Sequence, residues 1–413
     1  MRHHSLLGCL VVLSLLATGA RAAIGCGSEP GAVRILSNEF DSLRVIAAAA
    51  LECASPRLTV TKNQTTQHAE LAVPALKADP AKYTVVILSN NTITALLDGG
   101  LLRPLDDLVA LYGRGLQKRQ LVTVGGKIMA VAFMVNAQHL YYRADVLERA
   151  GVAPPTSYEQ VLEAARRIRA AGIMRYPLAA TNRPDWDLAQ EFINMYLGYG
   201  GELFDGGSAR ATIANERGVK ALGMMKALTA YMRPDFLTYN TDSVAPMWAA
   251  NEVAMANLWG SRANAFLTGS AMPKAIAQTT RFAAAPTVGG GSIPSTTLWW
   301  DGFAIARNID PRDAKASFQT MMHAIAPEVA NAHPGAAVWL STDSITAASA
   351  VGVLASVKGG AKSYPTAPYM GYLHNAIGAN LASFMQGRTS ATSALQDAVT
   401  SYTTAVREAG YLR

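Results

Sequence analysis

Three times within the first hundred residues a short β-prone run leads into a helix-prone one. Residues 32–37, 58–61 and 83–88 are rich in Val, Ile, Leu and Thr, and residues 40–54, 67–78 and 92–97 follow them with helical character. Strands that alternate with helices pair in parallel through helical crossovers, so this part of the chain is constrained to an α/β sandwich. Ligands of such sheets sit beyond the carboxyl ends of the strands. The loops there are Ser37-Asn-Glu39, Thr65-Thr-Gln67 and Ser89-Asn-Asn91, which makes Asn38, Glu39, Gln67, Ser89 and Asn90 candidate ligand contacts.

The chain is 413 residues long, too long for one such unit, and its 50% apolar content supplies a large core. Residues 1–22 have a basic start, a short apolar middle and a small-x-small end at Ala20-Arg-Ala22, the layout of a secretory signal peptide. The apolar run is too short to span a membrane. The expectation is therefore an exported, periplasmic protein of two lobes. A net charge of +7 without any Lys/Arg cluster argues against nucleic acid as a partner. With Cys9 inside the signal, only Cys26 and Cys53 remain, and an oxidising compartment would join them. The rival fate is lipidation, because Ala23-Ile-Gly-Cys26 loosely resembles a bacterial lipobox.

Further along, Gly125-Gly126 separates two β-prone runs as a hairpin turn does, and the extended stretch 122–136 is long enough to pass between lobes. Residues 141–150 read as a helix stopped by Gly151, and Thr156 with Glu159 reads as a capping box for an amphipathic helix carrying Tyr158, Val161, Leu162, Ala165 and Ile168 on one face. Further helices are expected near 188–199, 216–231, 312–326, 369–385 and 390–408, with short strands near 253–258 and 303–306. In the last helix Leu395, Val399, Tyr402 and Val406 form a packing stripe, so it should dock as a clamp.

No Gly-x-Ser-x-Gly and no His-Glu-x-x-His occurs, and Gly289-Gly-Gly-Ser292 lacks the Lys-Ser/Thr of a phosphate loop. His68, His139, His323, His333 and His374 are too scattered for a local metal motif, so no metal and no cofactor is expected. Asp185 with Asp187 and Glu39 with Asp301 are the conceivable acid/base pairs of an exported glycoside-active enzyme, the alternative to a binding protein. Trp186, Trp259 and the Trp299-Trp300 pair fall in loops beside polar residues, where a ring face covers C–H surface while its neighbours take hydroxyls. Trp248 and Trp339 read as core.

Several segments resemble the family 1 extracellular solute-binding proteins of bacterial ABC importers, the group that includes maltose-binding protein. The strongest is Leu140-Tyr-Tyr-Arg-Ala-Asp-Val-Leu-Glu-Arg-Ala-Gly-Val-Ala-Pro-Pro-Thr-Ser-Tyr-Glu159. Leu101-Leu-Arg-Pro-Leu-Asp-Asp107, Tyr199-Gly-Gly-Glu-Leu-Phe204, Met247-Trp-Ala-Ala-Asn-Glu-Val-Ala-Met255 and Trp300-Asp-Gly-Phe-Ala-Ile305 accompany it in the family's order. The resemblance implies an α/β, two-lobed periplasmic binding protein fold, each lobe a mixed sheet flanked by helices and joined by a hinge. It places residues 26–135 and 282–333 in one lobe and 138–280 and 336–413 in the other. It implies no enzymatic activity, a monomer, a small polar ligand of the saccharide class, and ABC permease subunits as partners. Trp186, Trp259, Trp300, Asp301 and Tyr369 join the loop residues as candidate ligand contacts, with Trp300 stacking on the ligand and Asp301 accepting a hydrogen bond. Two departures stand out. Trp259 precedes Gly260 where the family has Gly first, and Asp301 follows the tryptophans where the family has Gly-Gly-Trp, which points to a ligand with a positive or donor-rich group.

Overall fold

A computed structural model describes residues 25–342 and 347–413, so the expected signal peptide lies outside the described residues. Twelve strands occur among them: β1 (Gly31–Ser37), β2 (Leu58–Gln64), β3 (Val85–Ser89), β4 (Leu121–Val124), β5 (Lys127–Asn136), β6 (Gln138–Arg143), β7 (Leu178–Ala179), β8 (Met255–Trp259), β9 (Thr280–Ala283), β10 (Thr297–Ile305), β11 (Val338–Trp339) and β12 (Lys362–Ser363). They form two sheets. The first runs β11-β5-β10-β3-β1-β2, with β4 on β5 and β12 on β10, and the second runs β7-β8-β6-β9.

In the first sheet β1 pairs in parallel with β2 and β3, as the β-α repeats require, whereas β10 lies antiparallel to both β3 and β5. Its central strands β1, β3, β5 and β10 are largely apolar on both faces because both faces are covered. Val33, Ile35, Val85, Ile87, Phe303 and Ile305 pack beneath the helices Asp41–Leu51 and Pro311–Ala324, and Leu36, Val86, Leu88 and Ala304 face the helices His68–Lys77 and Thr92–Asp98. A disulfide joins Cys26 to Cys53, tying the segment before β1 to the end of the helix that follows it.

The second sheet carries a thick helical layer on one face. The helices Tyr158–Ala170, Trp186–Gly198, Glu216–Thr229 and Met370–Asn380 share one core there with the last helix, Ala391–Glu408. That last helix buries Leu395, Tyr402 and Val406, and the Tyr402 hydroxyl donates to the Ala209 carbonyl at 2.6 Å, so the clamp is docked. Among the described residues no helix is long and apolar enough to cross a membrane.

The two sheets are stitched together closely. β5 ends in the first sheet at Asn136 and β6 starts in the second at Gln138, with buried Ala137 alone between them. The chain returns between β9 and β10, and passes over again between β11 and the helix Val351–Lys358, which packs on β6 and β9. Gly352 of that helix lies so close to the His139 ring that a Cβ would overlap it. Val338–Trp339 pair with β5, so they belong to the first sheet although they lie past the expected boundary at 333–336; Ala283 pairs with Leu140 in the second.

Four local expectations shift. Residues 141–143 extend β6, and the helix begins only at Ala144, because the tyrosines fill a two-sided sheet position. The N-cap of the amphipathic helix is Ser157, one residue on from Thr156, and its hydroxyl accepts from Gln160 N at 3.3 Å. The stretch 369–385 is two helices, Met370–Asn380 and Ala382–Met385. The strand expected at 303–306 starts six residues earlier, so Trp299, Trp300 and Asp301 stand within β10 and not before it.

Candidate functional site

A cleft of about 360 Å³ opens between the carboxyl ends of β1, β2 and β3 and the second lobe. Asn38, Phe40 and Leu43 line it after β1, Thr66, His68 and Ala69 after β2, and Ser89, Asn91 and Thr92 after β3. β10 runs antiparallel to β3, so its start lies beside the end of β3, with Asp301 opposite Ser89. Facing them are Trp186 at a helix start, Trp259 at the end of β8, and Thr241, Ser261 and Arg262. Asn136, at the crossing, holds the two sides in register: its amide oxygen accepts from Ala137 N at 3.0 Å and Ser261 N at 3.1 Å.

Of the expected contacts, Asn38, Ser89, Trp186, Trp259 and Asp301 line this cleft and five do not. Side chains alternate across a strand, so Trp300 and Asp301 cannot share a face once both lie in β10. Trp300 packs on the opposite face, against the core containing Leu36, Val86 and Ala304, and Trp299 takes the cleft position expected of it. Asn90 is buried, its amide donating to the Leu298 and Tyr364 carbonyls at 3.3 Å each; its neighbour Asn91 faces the cleft. Gln67 is exposed at the start of a helix whose first residue, His68, reaches the wall instead. Glu39 is outside the lining, and its backbone carbonyl accepts from Arg44. Tyr369 lies away in the second lobe, its ring 4.8 Å from Phe204.

Three indoles make one wall. Trp186, Trp259 and Trp299 have ring centroids 5.6 to 6.0 Å apart in every pair. Each is held from behind. The Trp259 carbonyl accepts from the Tyr141 hydroxyl at 2.6 Å. Trp186 follows Asp185, whose φ of 83° is rare for a residue with a side chain, and the His374 ring stacks on Trp186 at 5.0 Å. His374 Nε2 lies 2.9 Å from the Trp186 carbonyl, which can only accept, so that nitrogen carries the proton and Nδ1 accepts from the Tyr364 hydroxyl at 2.9 Å. Burial pushes the His374 pKa down to about 4, which keeps this arrangement neutral. Tyr364 in turn lies 4.1 Å from Trp299.

Trp299 is anchored by a buried polar chain. Its indole N–H donates to Thr297 Oγ1 at 2.9 Å, and that hydroxyl accepts from Gln190 and donates to Asn194 Oδ1 at 3.0 Å. Asn194 donates to Gln138 Oε1 at 2.5 Å, and Gln138 donates to Glu191 Oε1 at 3.2 Å. Burial raises the Glu191 pKa to about 7, opposed by the hydrogen bonds from Thr181.

Among the described residues Asp301 is the sole carboxylate on the cleft wall. Among the described residues its side chain has no hydrogen-bond partner, and burial raises its pKa to about 7. Its position depends on an irregularity: Asp301 opposes Met134 and Gly302 opposes Ala132, leaving Phe133 as the extra residue of a bulge. A Cβ at residue 302 would press on the Val131 backbone, so glycine is required there. Of the conceivable acid/base pairs, Glu39 is absent from the wall, and Asp187 is buried beside Arg183 at 3.4 Å. Among the described residues the group with metal-ligand proximity, Cys26, Cys53 and His323, offers no thiolate because its sulfurs are bonded to each other.

The family model for bacterial extracellular solute-binding proteins matches residues 63–322. A probable ABC transporter-binding protein from Deinococcus radiodurans is 26% identical over 200 residues, 46% of this chain and 46% of that protein, so the match spans about half the length of that relative. Maltose-bound MalE3 from T. maritima shares the fold with a TM-score of 0.79 at 17% identity, over 90% of this chain and 99% of that one. An ABC transporter solute-binding protein from Agrobacterium vitis S4 with bound D-mannitol does so with a TM-score of 0.75 at 18% identity, over 92% and 99%. The family match covers well over half of the sequence, and the chain belongs to the bacterial extracellular solute-binding proteins.

Proposed function

We propose that this protein captures a saccharide or polyol in the cleft between its lobes, outside the cytoplasm, and delivers it to the permease of an ABC importer. The observation that carries the ligand class is the pairing of an indole wall with small hydroxyl and amide side chains across a cleft of about 360 Å³, the size range of small-molecule sites. Ring faces cover the C–H surface of a sugar, and Asn38, Ser89, Asn91 and Asp301 take its hydroxyls. The single carboxylate on the wall favours binding over glycoside hydrolysis, which works through two. The T. maritima and Agrobacterium proteins named above hold maltose and D-mannitol, ligands of the same chemistry.

In this reading residues 1–22 direct export to the periplasm and are removed, and the protein acts as a monomer. The lobes move as bodies about the crossing at Ala137, and ligand contacts from both sides favour the closed form. The test is a thermal-shift and calorimetric screen of maltose, other neutral mono- and disaccharides, amino sugars, ribitol and D-mannitol. Saturable binding with a raised melting temperature and unchanged compound supports the reading. Conversion of the compound into a new species would establish the enzyme instead, and no binding across the panel would remove the ligand class.

A further inference from the structure

The cleft contains a carboxylate that no group among the described residues neutralises. Asp301 has no hydrogen-bond partner among the described residues, and the strand residues opposite it are Ser89 and Met134. The two other ionisable groups on the wall do not serve it. Arg262 is engaged by Asp242 at 3.3 Å and lies over the Phe40 ring at 5.8 Å, and burial lowers the His68 pKa, which keeps that imidazole neutral. Asp301 is half-buried on the cleft wall, and a partly desolvated carboxylate without a counter-ion is costly unless something completes it.

What completes it is indicated by its neighbours. Asp301 and Trp299 stand two residues apart on one face of β10, about 7 Å along the strand, so the carboxylate borders the three-indole wall. Indole faces attract cations through the ring quadrupole, and a carboxylate binds a cationic N–H roughly twice as strongly as a neutral donor. A neutral polyol uses only part of this arrangement. A group that carries a positive charge on a compact C–H-rich frame uses all of it.

Resting on the reading of this cleft as a saccharide site, we propose that its ligand class is the amine-bearing saccharides, with the ammonium group seated between the Asp301 carboxylate and the indoles of Trp299, Trp259 and Trp186. Asp301 is then the residue that determines specificity, and the polar loops of the first lobe orient the remaining hydroxyls.

The test compares matched ligands by calorimetry: glucosamine, galactosamine and mannosamine, each with its neutral parent and its N-acetyl derivative, which keeps the nitrogen and loses the charge. The amine of at least one set should bind about tenfold tighter than both of its partners. Asp301→Asn, which keeps shape and removes charge, should erase that preference and fold with a melting temperature no lower than the wild type. Neutral or acetylated sugars binding as tightly as the amines, or a preference that survives Asp301→Asn, would overturn the inference and leave the saccharide reading standing. Binding of neither series, nor of any neutral saccharide or polyol in the wider screen, would overturn both.

Discussion

The two walls of the cleft are built by opposite strategies. On the first lobe the polar side chains are held by bonds that reach only one to three residues: Asn38 Oδ1 accepts from Glu39 N at 2.8 Å, and Thr92 Oγ1 accepts from Ser89 N at 2.8 Å. On the other side each indole is held by partners far away in sequence, Thr297 reaching Asn194 and Gln190, His374 reaching Trp186, and Tyr141 reaching Trp259. The polar wall can therefore change residue by residue without disturbing the fold. The aromatic wall is part of the second lobe's core, where Trp259 is only 8% exposed and Trp299 6%.

That contrast breaks most visibly at the tryptophans. Trp259→Ala should lower affinity by about 2 kcal/mol or more, roughly thirtyfold, and stability by about 3 kcal/mol or more, because the same ring serves the ligand and the core. Trp300→Ala should lower stability and leave affinity unchanged, since its ring packs on the far side of β10. Titration calorimetry beside melting curves separates the two losses. A loss of affinity in Trp300→Ala as large as that in Trp259→Ala would mean that Trp300 reaches the ligand and that its placement on the far face of β10 is wrong.

The aromatic wall also has an electrostatic cost that the polar wall lacks. Burial raises the carboxyl pKa of Asp301 and Glu191 to about 7 and of Asp187 to about 6, in the last case against the pull of Arg183. The folded protein holds these protons more tightly than the unfolded chain, so each carboxyl contributes stability at acid pH that is lost as pH rises from about 4 to about 7, while the buried His139 and His374, whose pKa values are pushed down to about 4, act with the opposite sign below about 6.5. For Glu191 alone the loss is on the order of 3 kcal/mol. Denaturant unfolding of the ligand-free wild type beside Glu191→Gln between about pH 5 and about pH 8 isolates the Glu191 share: the stability of the wild type relative to the variant should fall as pH rises toward about 7. A stability difference between the two that stays constant over this interval would remove the idea that a buried, protonated Glu191 supports the indoles.

The same contrast explains what could be read from sequence. The parallel strands of the first lobe and the loops after them were legible because their information is local: β-branched runs, helix-prone runs and polar residues between them. The supports of Trp299 were not, because Gln138, Gln190, Asn194 and Thr297 come from three separated segments, and no spacing rule joins them. The placement of Trp299 on the cleft wall, where Trp300 was expected, turns on one boundary. With β10 starting at Thr297, the parity of Phe303 and Ile305, both core residues of the face toward the cleft, carries back to 301 and 299, a signal present in the sequence once the strand's true length is known. Short strands such as β7 and β9 gave no signal of their own, since two to four residues cannot display a period.

The smallest expected effect tests the polar wall, and it turns on adjacent asparagines. Asn91 precedes the helix Thr92–Asp98 without capping it through its side chain, and its amide has no partner among the described residues. Asn90 is buried and donates to two carbonyls, of Leu298 near the start of β10 and of Tyr364 just after β12. Asn91→Ala should therefore weaken ligand binding by about 1 kcal/mol, close to fivefold, with no change in melting temperature, since one hydrogen bond to the ligand is lost and none within the protein. Asn90→Ala should do the reverse at first order, destabilising the fold by about 1 to 3 kcal/mol, because the Tyr364 carbonyl loses the Asn90 donor and the Leu298 carbonyl keeps the Tyr364 N–H alone, with affinity reduced only as far as β10 shifts. Measured together, the pair asks whether the first lobe's loops act on the ligand directly. If Asn91→Ala binds as the wild type and Asn90→Ala carries the affinity loss, the polar wall works by holding β10 in place, and the division of labour between the two walls disappears.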